Sequence, residues 1–266
     1  MTTPILKIDA FTDQPFAGNP AAVCFLEDQA DESWMQNLAM ENNLSETAFV
    51  RPIPEGGYEL RWFTPAYEVD LCGHATLAAA HALWESGRLD ETEEARFQTR
   101  SGALTCHRNG GWIEMDFPAE PAEPIEPPVD LLEALGVARQ VVTVARNRMD
   151  LLVQMATEGD LRALNPDYRR LNLIDTRGVI VTAPSEQTIY DFVSRFFAPA
   201  AGVDEDPVTG SAHCCLGPWW ADRLGSHELV GFQASARGGK VRVTVGENGR
   251  VTLAGQAVTV IRGEVL

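Results

Sequence analysis

The chain repeats itself, and the repeat limits what it can fold into. Phe63-Thr-Pro-Ala-Tyr-Glu-Val-Asp70 aligns without a gap to Phe197-Ala-Pro-Ala-Ala-Gly-Val-Asp204, with five of eight positions identical. Three extra residues in the second copy bring Gly73-His74-Ala75 onto Gly210-Ser211-Ala212, and further on Phe97-Gln98 falls on Phe232-Gln233. Both copies read as strand, proline-containing turn, apolar helix, strand and hairpin. Self-similarity in a fixed order marks a duplicated structural unit. With 266 residues and 45% hydrophobic content, each copy has enough apolar side chain for its own core.

Local pattern fills in the elements around the repeat. Alternation and turn residues predict strands over 5–11, 21–26, 48–53 and 58–64. A helix over 31–42 is capped by Asp31 or Ser33. The stretch 77–84 is apolar on every face, which predicts a buried helix. Strands over 95–99, 103–108 and 112–117 follow. Five prolines between Pro118 and Pro128 exclude helix and central strand and predict a linker. Beyond it come a short helix over 129–135, strands over 141–147 and 151–156, and a helix over 160–173 interrupted at Pro166. Strands over 178–182 and 190–197, a helix over 214–224, and four closing strands complete the pattern. The expected fold class is α+β. It has two similar lobes, 1–127 and 128–266, each a curled, mostly antiparallel, barrel-like sheet around a central buried helix. Strands at the chain ends are free to exchange between the lobes.

The turn Asp70-Leu-Cys-Gly-His-Ala-Thr76 leads from a strand into the first buried helix. Its counterpart, Asp206-Pro-Val-Thr-Gly-Ser211, leads into the second. A helix N-terminus presents free N–H groups and the positive end of the dipole, which suits a carboxylate. Two such turns predict a site for a small carboxylic acid in a cleft between the lobes. The net charge of −17 argues against nucleic acid as partner, because phosphate neutralisation needs clustered Lys and Arg. No stretch of about 20 apolar residues predicts a membrane span, and the N-terminal sequence lacks a signal-peptide pattern. Five cysteines without a C-x-x-C pair fit reduced thiols in a cytoplasm. No glycine-rich nucleotide motif and no metal-ligand spacing is present, so any chemistry is expected to be cofactor-free.

Taken on their own, the individual residues leave alternatives open. Glu46 reads first as a surface glutamate or a capping-box residue, and second as a carboxylate in a dry pocket that takes up and returns a proton. His74 reads as a satisfied histidine at a helix start or as a site residue. Asp206 reads as a loop acid beside Glu205, and Gly73 and Gly210 as turn glycines. Asn19 and Asp13 sit in a turn-rich segment and read as structural. Cys214 and Cys215 read as small apolar fillers.

Several separated motifs then match in order. These are Asp9-Ala-Phe-Thr-Asp-Gln-Pro-Phe-Ala-Gly-Asn-Pro20, Asn43-Leu-Ser-Glu-Thr-Ala-Phe49, Phe63-Thr-Pro-Ala66, Asp70-Leu-Cys-Gly-His-Ala-Thr76 and Asp204-Glu-Asp-Pro-Val-Thr-Gly-Ser-Ala212. Together they resemble the phenazine-biosynthesis PhzF-like family, which has the diaminopimelate-epimerase fold, over nearly the whole chain. The resemblance implies a cofactor-independent isomerase and a homodimer. It implies that Glu46 shuttles a proton between carbons of an unsaturated or hydroxylated acid. His74 and Asp206 would assist, and Gly73, Gly210 and Ser211 would hold the substrate carboxylate. Amino-acid epimerases and proline racemases of the same fold use one cysteine from each lobe. Here Cys72 stands in the first turn but Thr209 in the second, so a two-thiol mechanism lacks a partner. Two alternatives remain: a racemase or epimerase using Cys72, and a binding protein without turnover.

Overall fold

The computed structural model describes residues 2–137 and 140–266. The chain falls into two compact units, Met1–Asp116 with Ala254–Leu266, and Phe117–Leu253.

Unit 1 carries β1 (Thr3–Ala10), β2 (Asn19–Phe25), β3 (Glu46–Pro52), β4 (Tyr58–Phe63), β5 (Glu68–Val69), β6 (Ala95–Thr99), β7 (Gly102–Asn109) and β8 (Trp112–Pro118). A C-terminal strand, Ala257–Val265, pairs antiparallel with β1 along its whole length. From there the ladder runs β1, β2, β3, β4, β6, β7, β8, with β5 also on β4. Only β2/β3 and β4/β6 are parallel. Two helices pack on this sheet. In α1 (Glu32–Asn42), Asp31 caps by accepting from the N–H groups of Ser33 and Trp34, and Asn43 closes the helix in the left-handed region at φ 47°. In α2 (Gly73–Glu85), every residue from His74 to Ala80 is buried. Its alanines let it lie close against β1, β2, β3 and the C-terminal strand. The approach is tightest at Gly255, where a Cβ would sit 2.4 Å from Phe11 Cδ1 and 2.7 Å from Leu77 Cδ1.

Unit 2 carries β9 (Glu123–Pro124), β10 (Val141–Arg146), β11 (Asp150–Met155), β12 (Gly178–Pro184), β13 (Phe192–Ala198), β14 (Val203–Asp206), β15 (Glu228–Gln233), β16 (Gly239–Val245) and β17 (Arg250–Gly255). Its helices are α3 (Leu131–Leu135), α4 (Glu158–Arg162), α5 (Tyr168–Leu171) and α6 (Gly210–Leu224). The ladder runs β9, β10, β11, β12, β13, β15, β16, with β14 on β13. Here too only two neighbours are parallel, β11/β12 and β13/β15. The strand senses therefore follow the same order as in unit 1, step by step. The core of unit 2 gathers Leu131, Leu151, Val153, Val181, Val193 and Phe197. Both ladders are open, so the α+β units are sheets packed on a buried helix and not closed barrels.

Several details differ from the sequence-based expectation. The compact units meet in the chain at 116/117, where 127/128 was expected, and the proline-rich stretch pairs with β10 through Pro124 opposite Ala145. Both buried helices begin four residues earlier than expected. Cys72 and Thr209 are extended N-cap residues at φ −144° and −114°, so Gly73 and Gly210 open the helices and do not belong to the preceding turns. The stretch 160–173 splits into α4 and α5 on either side of Pro166. The match of Phe97-Gln98 to Phe232-Gln233 is one residue out of register. β4 sets Tyr58 against Phe97 and β13 sets Phe192 against Gly231, so Phe97 occupies the place of Gly231. A one-residue slip in a strand reverses its faces. Gln98 is accordingly exposed, whereas Gln233 is fully buried.

Candidate active site

Glu46 opens β3, and His74 is the second residue of α2, so the strand and the helix N-terminus of unit 1 bring the two side chains together. Glu46 Oε2 lies 3.1 Å from His74 Nε2. Both atoms are shielded from solvent, yet the pair is out of line for a hydrogen bond and neither atom has another partner. On the other edge of the ring, His74 Nδ1 lies 3.2 Å from Asn19 Nδ2 and 3.5 Å from Cys72 Sγ. Asn19 is fully buried at the start of β2, and its Oδ1 accepts from Ser45 Oγ at 3.5 Å. An amide N–H donated to Nδ1 fixes the neutral imidazole with its proton on Nε2, facing Glu46.

The electrostatics separate the roles. Burial alone would lower the His74 pKa. The neighbouring Cys72 sulfur, and after it the Glu46 carboxylate, outweigh burial and hold it well above the usual histidine value. Burial, reinforced by the Glu46 carboxylate, pushes the Cys72 thiol up to about 11. The thiol is therefore protonated at neutral pH. A protonated, shielded thiol is a poor base. Glu46, Cys72 and His74 offer donor atoms within 4.8 Å of one another. Cysteine and glutamate nevertheless address opposite nitrogens of one ring, so the three do not converge on a single ion as a tetrahedral site requires.

Asp206, Gly210 and Ser211 belong to unit 2. Thr209, the N-cap of α6, donates its hydroxyl to Asp206 Oδ2 at 2.5 Å. Gln233 accepts from Thr209 N at 2.9 Å and donates to the Asp206 carbonyl at 2.7 Å, which pins the turn to β15. Ser211 Oγ accepts from Arg177 Nη2 at 2.9 Å. Neither N-cap side chain, Cys72 or Thr209, turns back onto its helix. The first-turn N–H groups of a helix have no partner within the helix. Gly73 and Gly210, as first helical residues, carry such groups.

The structure adds Asn19, Ser45, Gln233 and Arg177 to the residues marked by the sequence. Asn19 sits beside His74 because α2 packs on β2, a long-range contact that local pattern does not encode. The turn Gly18-Asn19-Pro20 was its only signal. Gln233 was visible through the repeat, but in the wrong register.

Residues 8–263 match the phenazine biosynthesis-like protein family, and the chain belongs to that family. It is 54% identical over 267 residues to an uncharacterized isomerase of Halalkalibacterium halodurans, covering 100% of this chain and 99% of the relative. The crystal structure of a PhzF-family phenazine biosynthesis protein from Enterococcus faecalis superposes with a TM-score of 0.94 at 40% identity, covering 100% of both chains. A probable proline racemase from Agrobacterium radiobacter has a TM-score of 0.65 at 10% identity, covering 100% of this chain and 93% of that one, a likeness of fold alone. No helix among the described residues is long and apolar enough to cross a membrane.

Proposed function

We propose that the protein is a cofactor-independent isomerase that moves a proton between two carbons of a small unsaturated or hydroxylated carboxylic acid. The observation that carries this reading is the shielded Glu46–His74 pair, 3.1 Å apart with no other partner on the facing atoms. The names of the relatives support an isomerase. In the proposed reaction a C–H bond breaks and its proton passes to a Glu46 oxygen. The electron pair shifts through the unsaturated system, and the same proton is returned to a second carbon. His74 presents Nε2–H beside Glu46 and stabilises charge as it develops. Asp206, Gly210 and Ser211, together with Gly73, hold the polar groups of the acid.

The test is Glu46→Gln, which keeps the shape and removes the proton acceptor. Solvent deuterium incorporation across a panel of unsaturated and hydroxylated acids identifies a substrate. The variant is expected to lose about 10²–10⁴-fold in turnover while keeping the circular-dichroism spectrum of the folded wild type. A variant as active as the wild type refutes the assignment of Glu46. A homodimer belongs to the same reading, and light scattering of the purified protein tests it.

A further inference from the structure

The duplicated ladder allows positions to be compared between the units, and the comparison isolates one residue. β3 and β4 set Thr47 against Phe63, while β12 and β13 set Val179 against Phe197. The repeat equates Phe63 with Phe197. Glu46 then corresponds to Gly178, and Ser45 to Arg177. On the neighbouring strands, Ala21 opposite Glu46 corresponds to Asp150 opposite Gly178. His74 corresponds to Ser211. Where unit 1 has an acid and a base, unit 2 has a glycine, a hydroxyl and a guanidinium.

That guanidinium is held from three sides. Asp150 is fully buried, and its two oxygens accept from Arg177 Nε at 2.8 Å and Nη2 at 2.5 Å, a two-point fork. The Asp150 backbone is itself fixed, donating its N–H to Asn147 Oδ1 at 2.6 Å. The guanidinium carbon lies 5.6 Å from the centroid of Phe196. Gly178 makes that stacking feasible, since a Cβ there would come within 2.4 Å of Phe196 Cζ. The third contact is Nη2 to Ser211 Oγ. It occupies a lone pair of the hydroxyl and turns its O–H outward as a donor. Nη1 has no hydrogen-bond partner among the described residues, and the Arg177 side chain is 38% exposed. A buried carboxylate held against a half-open guanidinium is a weak source of stability. It is a precise way to aim the open edge of an arginine.

We propose that Arg177 is a specificity-determining cation that selects a ligand bearing a carboxylate. One carboxylate oxygen is taken by the open Nη1, and the Ser211 hydroxyl, oriented by Nη2, donates to the same group. The proposal deepens the isomerase reading and rests on it for the chemical class of the substrate.

Benzoate and benzamide differ in charge at nearly constant shape, and calorimetric titration of both into the intact protein provides the test. The wild type is expected to bind benzoate at least about tenfold more tightly than benzamide, the scale of one charge-assisted two-point contact. Arg177→Gln brings the two ligands to within about twofold. The double variant Asp150→Asn/Arg177→Gln does the same without leaving a lone buried charge, which separates lost recognition from lost folding. Arg177→Lys restores part of the preference. The preference is read by binding alone with Glu46 unchanged, so a failure of the proton-shuttle reading leaves this result standing and remains distinguishable from it. The proposal is overturned if the folded double variant still prefers benzoate about tenfold, if the wild type treats both ligands alike, or if it binds neither.

Discussion

His213 makes stability depend on pH in a way that can be worked out from its surroundings. The residue lies on α6 and is fully buried. Its Nδ1–H donates to the Thr209 carbonyl at 2.8 Å, and its Nε2 has no partner. The ring packs on Phe192 with centroids 6.0 Å apart, and a Cβ on Gly231 would lie 3.2 Å from Nε2. Burial pushes its pKa down to about 4, opposed only by the Thr209 carbonyl. An unfolded histidine titrates near 6.5. Between these values the unfolded chain binds a proton that the folded chain refuses, so stability rises with pH through this window. The contribution is fully present above about pH 6.5 and is lost as pH falls toward 4. From about pH 8 to about pH 5 the loss is roughly 2 kcal/mol. In His213→Asn the amide can replace Nδ1–H, and the remaining space costs a roughly constant amount of stability. Urea unfolding of both proteins across this range isolates the effect. The difference between wild type and variant should shrink or change sign by about 2 kcal/mol on acidification. Parallel stability curves would falsify the assignment of a neutral, unprotonatable His213.

Two further outcomes follow from particular contacts. Gly255→Ala drives a methyl into Phe11 and Leu77, so thermal melting should show a loss of about 1–3 kcal/mol, more than a surface Gly→Ala change would cause. Beside Cys72, Glu46 is the second group that raises His74, so Glu46→Gln should move the imidazole titration, followed by NMR, to lower pH. In the wild type the stabilisation from this raised pKa is complete below about 6.5 and fades as pH rises through the folded value. An unmoved titration would show that Glu46 does not raise His74.

The order of elements and the two buried helices were legible in the sequence because apolar pattern and turn residues are local signals. Leu77 to Trp84 could hardly be anything but a buried helix. Glu46, His74 and Cys72 were marked as individuals, but nothing local says that β3 carries Glu46 to within contact of a histidine at a helix start. That is a property of the ladder. Asn19 was read as structural, and its burial beside His74 is likewise a property of long-range packing, of α2 on β2. The slip at Phe97-Gln98 shows the limit of matching letters. A two-residue identity was accepted where strand register, which alone decides the facing side chain, ran one residue away. The expected division at 127/128 followed the prolines, whose local signal does not reveal that Pro124 pairs opposite Ala145.

The pairing of β1 with the C-terminal strand, Thr3 opposite Val265, sets an order of events during synthesis. Unit 2 is one continuous stretch, Phe117–Leu253, and all of its partners have left the ribosome before unit 1 is complete. Unit 1 must wait with the outer edge of β1 unpaired until its last strand emerges. The most N-terminal strand is therefore the last to be sealed. For the time taken to translate unit 2, the nascent chain displays an open strand edge of the kind that chaperones cover.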